Sequence, residues 1–307
     1  MPKGANRRGP SRGSHAAPQR SQSTLPATYR SQQVPSSQSI SQYSRDSYGS
    51  AARASQSKKG GIWRVVFIVS IVVFVGALAA LGAIGYQYWA QQNAYSGLEE
   101  YAEVDDNSNL ALSDLKVDWD GLRAINPDIV AWVYVPGTPI NYPVVQGSDN
   151  QEYLHKAFDG STGWLASAGT IFLDASNTSD LSDQNNALYG HHMNDGSMFN
   201  VISDTTDQAT FDSMDYVYYI TRDATYKLRP LATKVVEDTY AKARTPNFEG
   251  DDGLKNYLSE MLDGASAVAS DATDRAASAT KVVTLVTCRS LSFSNTRAVM
   301  VLTPVEE

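Results

Sequence analysis

A mainly β fold, a closed barrel of about eight strands outside a membrane, is what this 307-residue chain predicts. Three observations carry that prediction. Short runs rich in β-branched and aromatic residues recur between turn signals from residue 129 to residue 304, the pattern of a closed or nearly closed barrel. Residues 65–85, VVFIVSIVVFVGALAALGAIG, carry no charge and are long enough to cross roughly 30 Å of hydrocarbon. The single cysteine, Cys288, rules out an intramolecular disulfide, so the outer part must hold together by its own core.

The apolar segment divides the chain electrostatically. Eleven of the 25 Lys and Arg and one of the 33 Asp and Glu lie up to Arg64, so the balance is +10 before the segment and −18 after it. Lys58, Lys59 and Arg64 flank only its N-terminal end, which puts the tail in the cytoplasm and the rest outside. Trp63 on one side and Tyr86, Tyr88 and Trp89 on the other suit interfacial aromatic belts. The run is longer than the apolar part of a signal peptide and starts some 60 residues in, so it reads as an anchor. The expected organisation is a disordered basic cytoplasmic tail (1–61), a transmembrane helix (62–89), an extracellular linker (90–113) and a β-rich domain (114–307). The tail is rich in Ser, Gln, Arg and Pro and poor in large aliphatic side chains, too little apolar surface to offset ordering. Its arginines are scattered, which favours a role in topology over binding of anionic lipid.

Within the domain, residues 114–125 predict a short helix, with Leu115, Val117, Trp119, Leu122 and Ile125 on one face. Asn126-Pro127-Asp128 ends it. Strands are predicted over 129–135, 142–145, 169–173, 186–190, 214–221, 227–236, 281–287 and 297–304. Residues 198–202 predict one helical turn. Leu254, Tyr257, Leu258, Met261 and Leu262 follow helical spacing and predict an amphipathic helix before the cysteine strand.

The candidate chemistry lies in three pieces. Cys288 ends the run 282–288, VVTLVTC; Arg297 follows nine positions later; Leu188-Tyr189-Gly190-His191-His192-Met193 lies upstream. A lone cysteine with a histidine elsewhere is a candidate nucleophile, and the thiolate is the attacking form. At the end of a strand Cys288 can project into a cleft, with Val286 on its face and Leu285 and Thr287 on the other. A histidine from another strand can pair with the thiolate and protonate a leaving amine. Arg297 is permanently charged and can stabilise an oxyanion or orient a substrate backbone. Asp195 lies in Asn194-Asp195-Gly196, which has turn chemistry, and no third orienting group is resolved. His15 and His155 read as surface residues. No metal or cofactor is expected: adjacent histidines diverge on a strand and no zinc-like spacing exists.

These residues resemble the sortases, membrane-anchored cysteine transpeptidases of Gram-positive bacteria, over roughly residues 115–304. The resemblance rests on Thr284-Leu285-Val286-Thr287-Cys288, Arg297 and Gly190-His191 in that arrangement. The class B stretch L-Y-G-H-x-M-x-D-G-S-M-F is met by residues 188–199, with His192 where class B usually has Asn. The resemblance implies Cys288 as nucleophile, His191 as general acid/base and Arg297 as oxyanion or substrate-orienting group. Val286 and Thr287 are the candidate substrate contacts. It implies cleavage of a C-terminal sorting signal after Thr through a thioacyl intermediate. The acyl group would pass to an amine of a peptidoglycan precursor or a pilin. Implied partners are surface proteins or pilins bearing sorting signals and, through one helix, the membrane; no nucleic acid is implied. The connection 241–280, which lines the cleft in the family, is acidic and Ala/Ser-rich here, and Arg289 stands where several relatives carry Thr or Tyr. Two other readings remain: a catalytically silent, membrane-tethered β-domain, and a cysteine hydrolase that releases the acyl group to water.

Overall fold

Apolar residues that alternate along nearly every predicted strand need two faces to bury, and the molecule supplies both. The computed structural model describes residues 60–103, 116–288 and 295–305. The chain enters on a long helix, α1 (Gly60–Ser96), followed by two short paired strands, β1 (Ala102–Glu103) and β2 (Lys116–Val117). The barrel strands are β3 (Ile129–Tyr134), β4 (Asn141–Val145), β5 (Ile171–Leu173), β6 (Asn185–Gly190), β7 (Val217–Ile220), β8 (Thr225–Glu237), β10 (Val282–Cys288) and β11 (Thr296–Pro304). They run in the order β11-β10-β6-β5-β4-β3-β7-β8, and β8 pairs back onto β11. The barrel therefore closes with eight strands, as expected; β9 (Ala267–Val268) adds a short pairing to β8. Two contacts, β6–β10 and β4–β5, are parallel and the rest are antiparallel.

Strand alternation sorts the core. Val133, Val144, Ile171, Leu188, Leu285, Met300 and Leu302 belong to one buried cluster. Their neighbours along the strands face the other way. Trp132, Val145, Phe172 and Ile220 pack in a second cluster with Leu122 of α2 (Trp119–Ile125). Val282, Val286, Val299 and Val301 pack in a third with Leu254, Tyr257, Leu258 and Met261 of α5 (Gly253–Leu262), the helix expected before the cysteine strand. Ala272 and Ala276 of α6 (Ala272–Ser278) complete that cover.

Several boundaries differ from the sequence reading. The helix expected over 114–125 is shorter: residues 114–115 lie outside the described residues, Lys116 and Val117 pair with β1, and the Asp118 carboxylate caps α2 by accepting from Gly121 N at 3.0 Å. β7 begins at Val217 rather than residue 214, because Met214 follows another helix, α4 (Gln208–Asp212), capped by Asp207. The helical turn expected over 198–202 is α3 (Asn200–Asp204). The tail 1–59 and residues 104–113 of the expected linker lie outside the described residues, as do His15 and Arg289. Within α1, Gly60–Ala90 is long and apolar enough to cross a membrane by length and composition.

Candidate active site

The register of three neighbouring strands assembles the site. Thr287 on β10 pairs with Gly190 on β6, and Cys288 pairs with Arg297 on β11. His191 is the next residue after Gly190. The three sequence-predicted positions thus meet at one end of adjacent strands. Of Cys288 the strand position is described, and its side chain lies outside the described atoms.

A cleft opens at that end, over the outer surface of the barrel. Tyr189, Gly190, His191, Val286, Thr287 and Arg297 contribute its floor. One wall is made by Asn150, Gln151 and Leu154, the other by Asp238 and Arg244. Val286 and Thr287, the candidate substrate contacts, both line it and are nearly buried.

His191 has an orienting partner that no motif announces. Its Nε2 lies 2.8 Å from the carbonyl oxygen of Leu154. A carbonyl only accepts, so Nε2 carries a proton and Nδ1 is the atom left to exchange one. The imidazole stacks on His155, with centroids 5.6 Å apart and planes at 22°. Burial pulls the His191 pKa below its ordinary value, and positive charge on His155 and Arg297 adds to this; the Leu154 carbonyl opposes it. His155 is exposed, as the sequence suggested, yet it is part of the site's electrostatics.

Two glycines permit this geometry. A Cβ on Gly169, at φ +58°, would stand 2.4 Å from the Leu154 oxygen, so only glycine lets the chain pass behind that carbonyl. A Cβ on Gly190 would stand 2.6 Å from Ile171 and Phe199 side-chain atoms.

The loop after His191 is a tight hairpin. His192 bridges Met198, and Phe199 N donates to the His191 carbonyl at 2.9 Å. The Asp195 carboxylate accepts from Ser197 N and Ser197 Oγ at 3.0 and 2.6 Å, and Gly196 takes φ +85°. Asp195 is thus engaged in the turn. His192 is turned to Asn200, whose Nδ2 lies 3.0 Å from His192 Nε2.

The walls contain groups the sequence did not single out. Asp174 is 1 % exposed and accepts from Asn150 Nδ2 at 2.9 Å and Tyr189 Oη at 2.8 Å. Burial and the neighbouring Asp174 charge push the Tyr189 hydroxyl far above its ordinary pKa, so it stays a donor. On the opposite wall Arg244 is exposed and faces the cleft shared with Arg297. A cation within a largely acidic connection is the signal that sequence reading passed over.

A closed mixed barrel of this strand order, with these positions brought to the ends of β6, β10 and β11, has the fold of the sortase type. The sortase-domain family model matches residues 133–305, and the chain belongs to the sortase family. It is class B-like. The Staphylococcus aureus sortase B is 28 % identical over 193 residues, 62 % of this chain and 75 % of that protein. The Clostridium perfringens sortase B structure is 28 % identical with a TM-score of 0.54, covering 61 % of this chain and 99 % of that one. A Bacillus anthracis sortase B structure is 25 % identical with a TM-score of 0.59, covering 72 % and 99 %. The protein is accordingly an enzyme of the sortase type, a transpeptidase.

Proposed function

We propose that Cys288 is the nucleophile of a class B-like transpeptidase, with His191 as general acid/base and Arg297 as the oxyanion and substrate-orienting group. The observation that carries this is the register: Thr287 beside Gly190, and Cys288 beside Arg297. The period of two along β10 sets position 288 in phase with Val286, which lines the cleft.

In this reading the Cys288 thiolate attacks the carbonyl carbon of a threonine in a sorting signal. The oxyanion forms against the Arg297 guanidinium. The His191 imidazolium gives its Nδ1 proton to the departing amine, the peptide bond breaks and a thioester remains. An incoming amine gives its proton back to His191, attacks the thioester and releases the thiolate, forming the new amide. The lowered His191 pKa favours the neutral imidazole near neutral pH. Set against an ordinary thiol value of roughly 8.5, this makes the reactive thiolate–imidazolium pair a minority species in this reading. Val286 and Thr287 contact the substrate. The acceptor amine belongs to a peptidoglycan precursor or a pilin lysine, and α1 anchors the enzyme with its cleft outside the cell, as the flanking charges direct.

The test uses the full chain in detergent with a pool of sorting-signal peptides and triglycine, read by intact-protein and product mass. A Thr-linked adduct on Cys288, and triglycine ligated to the released Thr, is expected. An adduct yielding only hydrolysed peptide turns the reading to a hydrolase. No adduct from any peptide, with the thiol shown to be reduced, turns it to a silent binding domain.

A further inference from the structure

We propose that the loop carrying Trp164 is a second membrane contact, seated in the lipid interface beside α1. This rests on the reading of α1 as the anchor. Around α1, the helix surface is exposed on every side through Tyr86, and partial cover by the domain begins at Gln87. At Gln87 that cover comes from the segment of Trp164. Gln87 Nε2 donates to the Trp164 carbonyl at 2.7 Å and to Ser167 Oγ at 2.6 Å.

The depth follows from helix geometry. Gln87 is two residues past Gly85, where the apolar run ends, so the Trp164 backbone lies about 3 Å beyond the hydrocarbon edge at 1.5 Å per residue. The interfacial layer on each side of a bilayer is roughly 5–7 Å thick. Trp164 therefore sits at the level of Tyr86, Tyr88 and Trp89, where amphipathic rings prefer to lie. Its side chain is 52 % exposed; outside α1, the other exposed large hydrophobics among the described residues are Ile125 at 37 % and Val268 at 40 %. A large ring left in water next to a membrane helix fits lipid as its cover.

The loop's chemistry agrees. Residues 160–163 are Gly, Ser, Thr and Gly, all exposed and uncharged. Asp159, the acid that precedes them, acts electrostatically on Tyr95, eight residues further along α1 than Gln87 and so about 12 Å farther from the hydrocarbon. The far end of the segment is gripped as well: Tyr95 Oη donates to the Gly169 carbonyl, and its ring meets Tyr142 edge-on at 5.7 Å. Thr170, the next residue, lines the cleft. Helix, loop and cleft wall thus form one continuous piece, and the bilayer would set the height of the cleft.

The experiment places nitroxide labels in the full-length Cys288→Ala chain, reconstituted in vesicles of phosphatidylcholine and phosphatidylglycerol. Collision with oxygen and with a soluble nickel chelate reports depth. Labels go at Thr162→Cys, at Gly76→Cys within α1 and at Asp251→Cys on the exposed α5 lead-in. The expected order is 76 deep in hydrocarbon, 162 at the interface and 251 aqueous. If 76 is deep and 162 reads like 251, the anchor stands and this inference is overturned. If 76 is itself aqueous, the anchor reading fails and takes the inference with it. Adding Trp164→Glu is expected to shift the 162 label to the value read at 251; no shift would remove Trp164 as the contact.

Discussion

β6, β10 and β11 hold the floor of the cleft by main-chain ladders, whereas its two walls hang on side chains. On the floor, Gly190, Thr287, position 288 and Arg297 are set by successive Cα partners, and a ladder tolerates many side chains. The walls are different. Asn150 reaches Asp174 Oδ2 and its own Oδ1 accepts from Ala175 N at 2.8 Å. Across the cleft, Asn185 Nδ2 donates to the Ala243 and Thr245 carbonyls at 3.0 and 3.1 Å, while Asn247 Nδ2 donates to Asp183 at 2.6 Å. Burial alone would raise the Asp183 pKa, but the hydrogen bonds from Asn177, Thr178 and Asn247 outweigh it and hold the carboxyl below its ordinary value. The contrast separates two kinds of hold: the floor is fixed by backbone register, and the walls by side-chain hydrogen bonds. Substitutions in the floor should therefore remove chemistry and spare the fold, and substitutions in the walls should do the reverse.

The largest effect is expected on the floor. Arg297→Ala should lower the rate of acyl-enzyme formation by about 100- to 1,000-fold, the usual loss when an oxyanion donor goes. Arg297→Lys keeps the charge without the planar fork and should recover only part of it. Among the described residues, the Arg297 side chain bonds the carbonyl of its own neighbour Thr296 at 3.2 Å, a contact that ties no other element to it. Unfolding midpoints of both variants should match the parent. A large loss of stability in either would erase the distinction between floor and wall.

A wall substitution comes next. Asn185 is fully buried; besides its two donations it accepts from Thr284 Oγ1 at 2.6 Å. Asn185→Ala strands the Thr284 hydroxyl and takes a donor from two carbonyls, at about 1–3 kcal/mol for each buried group left unpaired. Denaturant unfolding should show a lowered midpoint, and KM for peptide should rise more than kcat falls, because Arg244 lies between the two carbonyls. Asn185→Asp keeps the acceptor for Thr284 but sets a buried carboxylate oxygen against the Ala243 and Thr245 carbonyls, so its midpoint should lie no higher than that of Ala. An unchanged midpoint for the alanine variant would mean the wall is held by something other than Asn185.

The same contrast explains what could be read before the structure. The eight strands were legible because alternation in runs such as 282–288 leaves few other ways to bury both faces. Gly190-His191, Cys288 and Arg297 were legible because a ladder brings together residues at matching strand ends. The Leu154 carbonyl was not, since every residue carries one and nothing in the side chain marks it. His155 was seen as exposed but not as a neighbour of His191, because their stacking depends on the path of residues 150–170. α4 and α6, of five and seven residues, are too short for a helical period to register. Arg244 reaches the cleft on a wall that Asn185 helps to hold, a contact of 58 residues' separation at Ala243.

The smallest effect sharpens the comparison most, because it asks whether a wall can act on the chemistry without moving it. His155 touches His191 only by stacking and by charge. When His155 is protonated it disfavours protonation of His191, after burial the next lowering influence on that group. Removing it by His155→Gln should therefore raise the His191 pKa. If the reactive form is the thiolate–imidazolium pair, the acidic limb of kcat/KM falls where His191 becomes protonated ahead of the thiol. That limb should move to higher pH in the variant. A packing role alone would lower the plateau and leave the limb where it was. The limb moves in one case and stays in the other, so a pH profile of the parent and the variant decides whether this wall tunes the floor or only supports it.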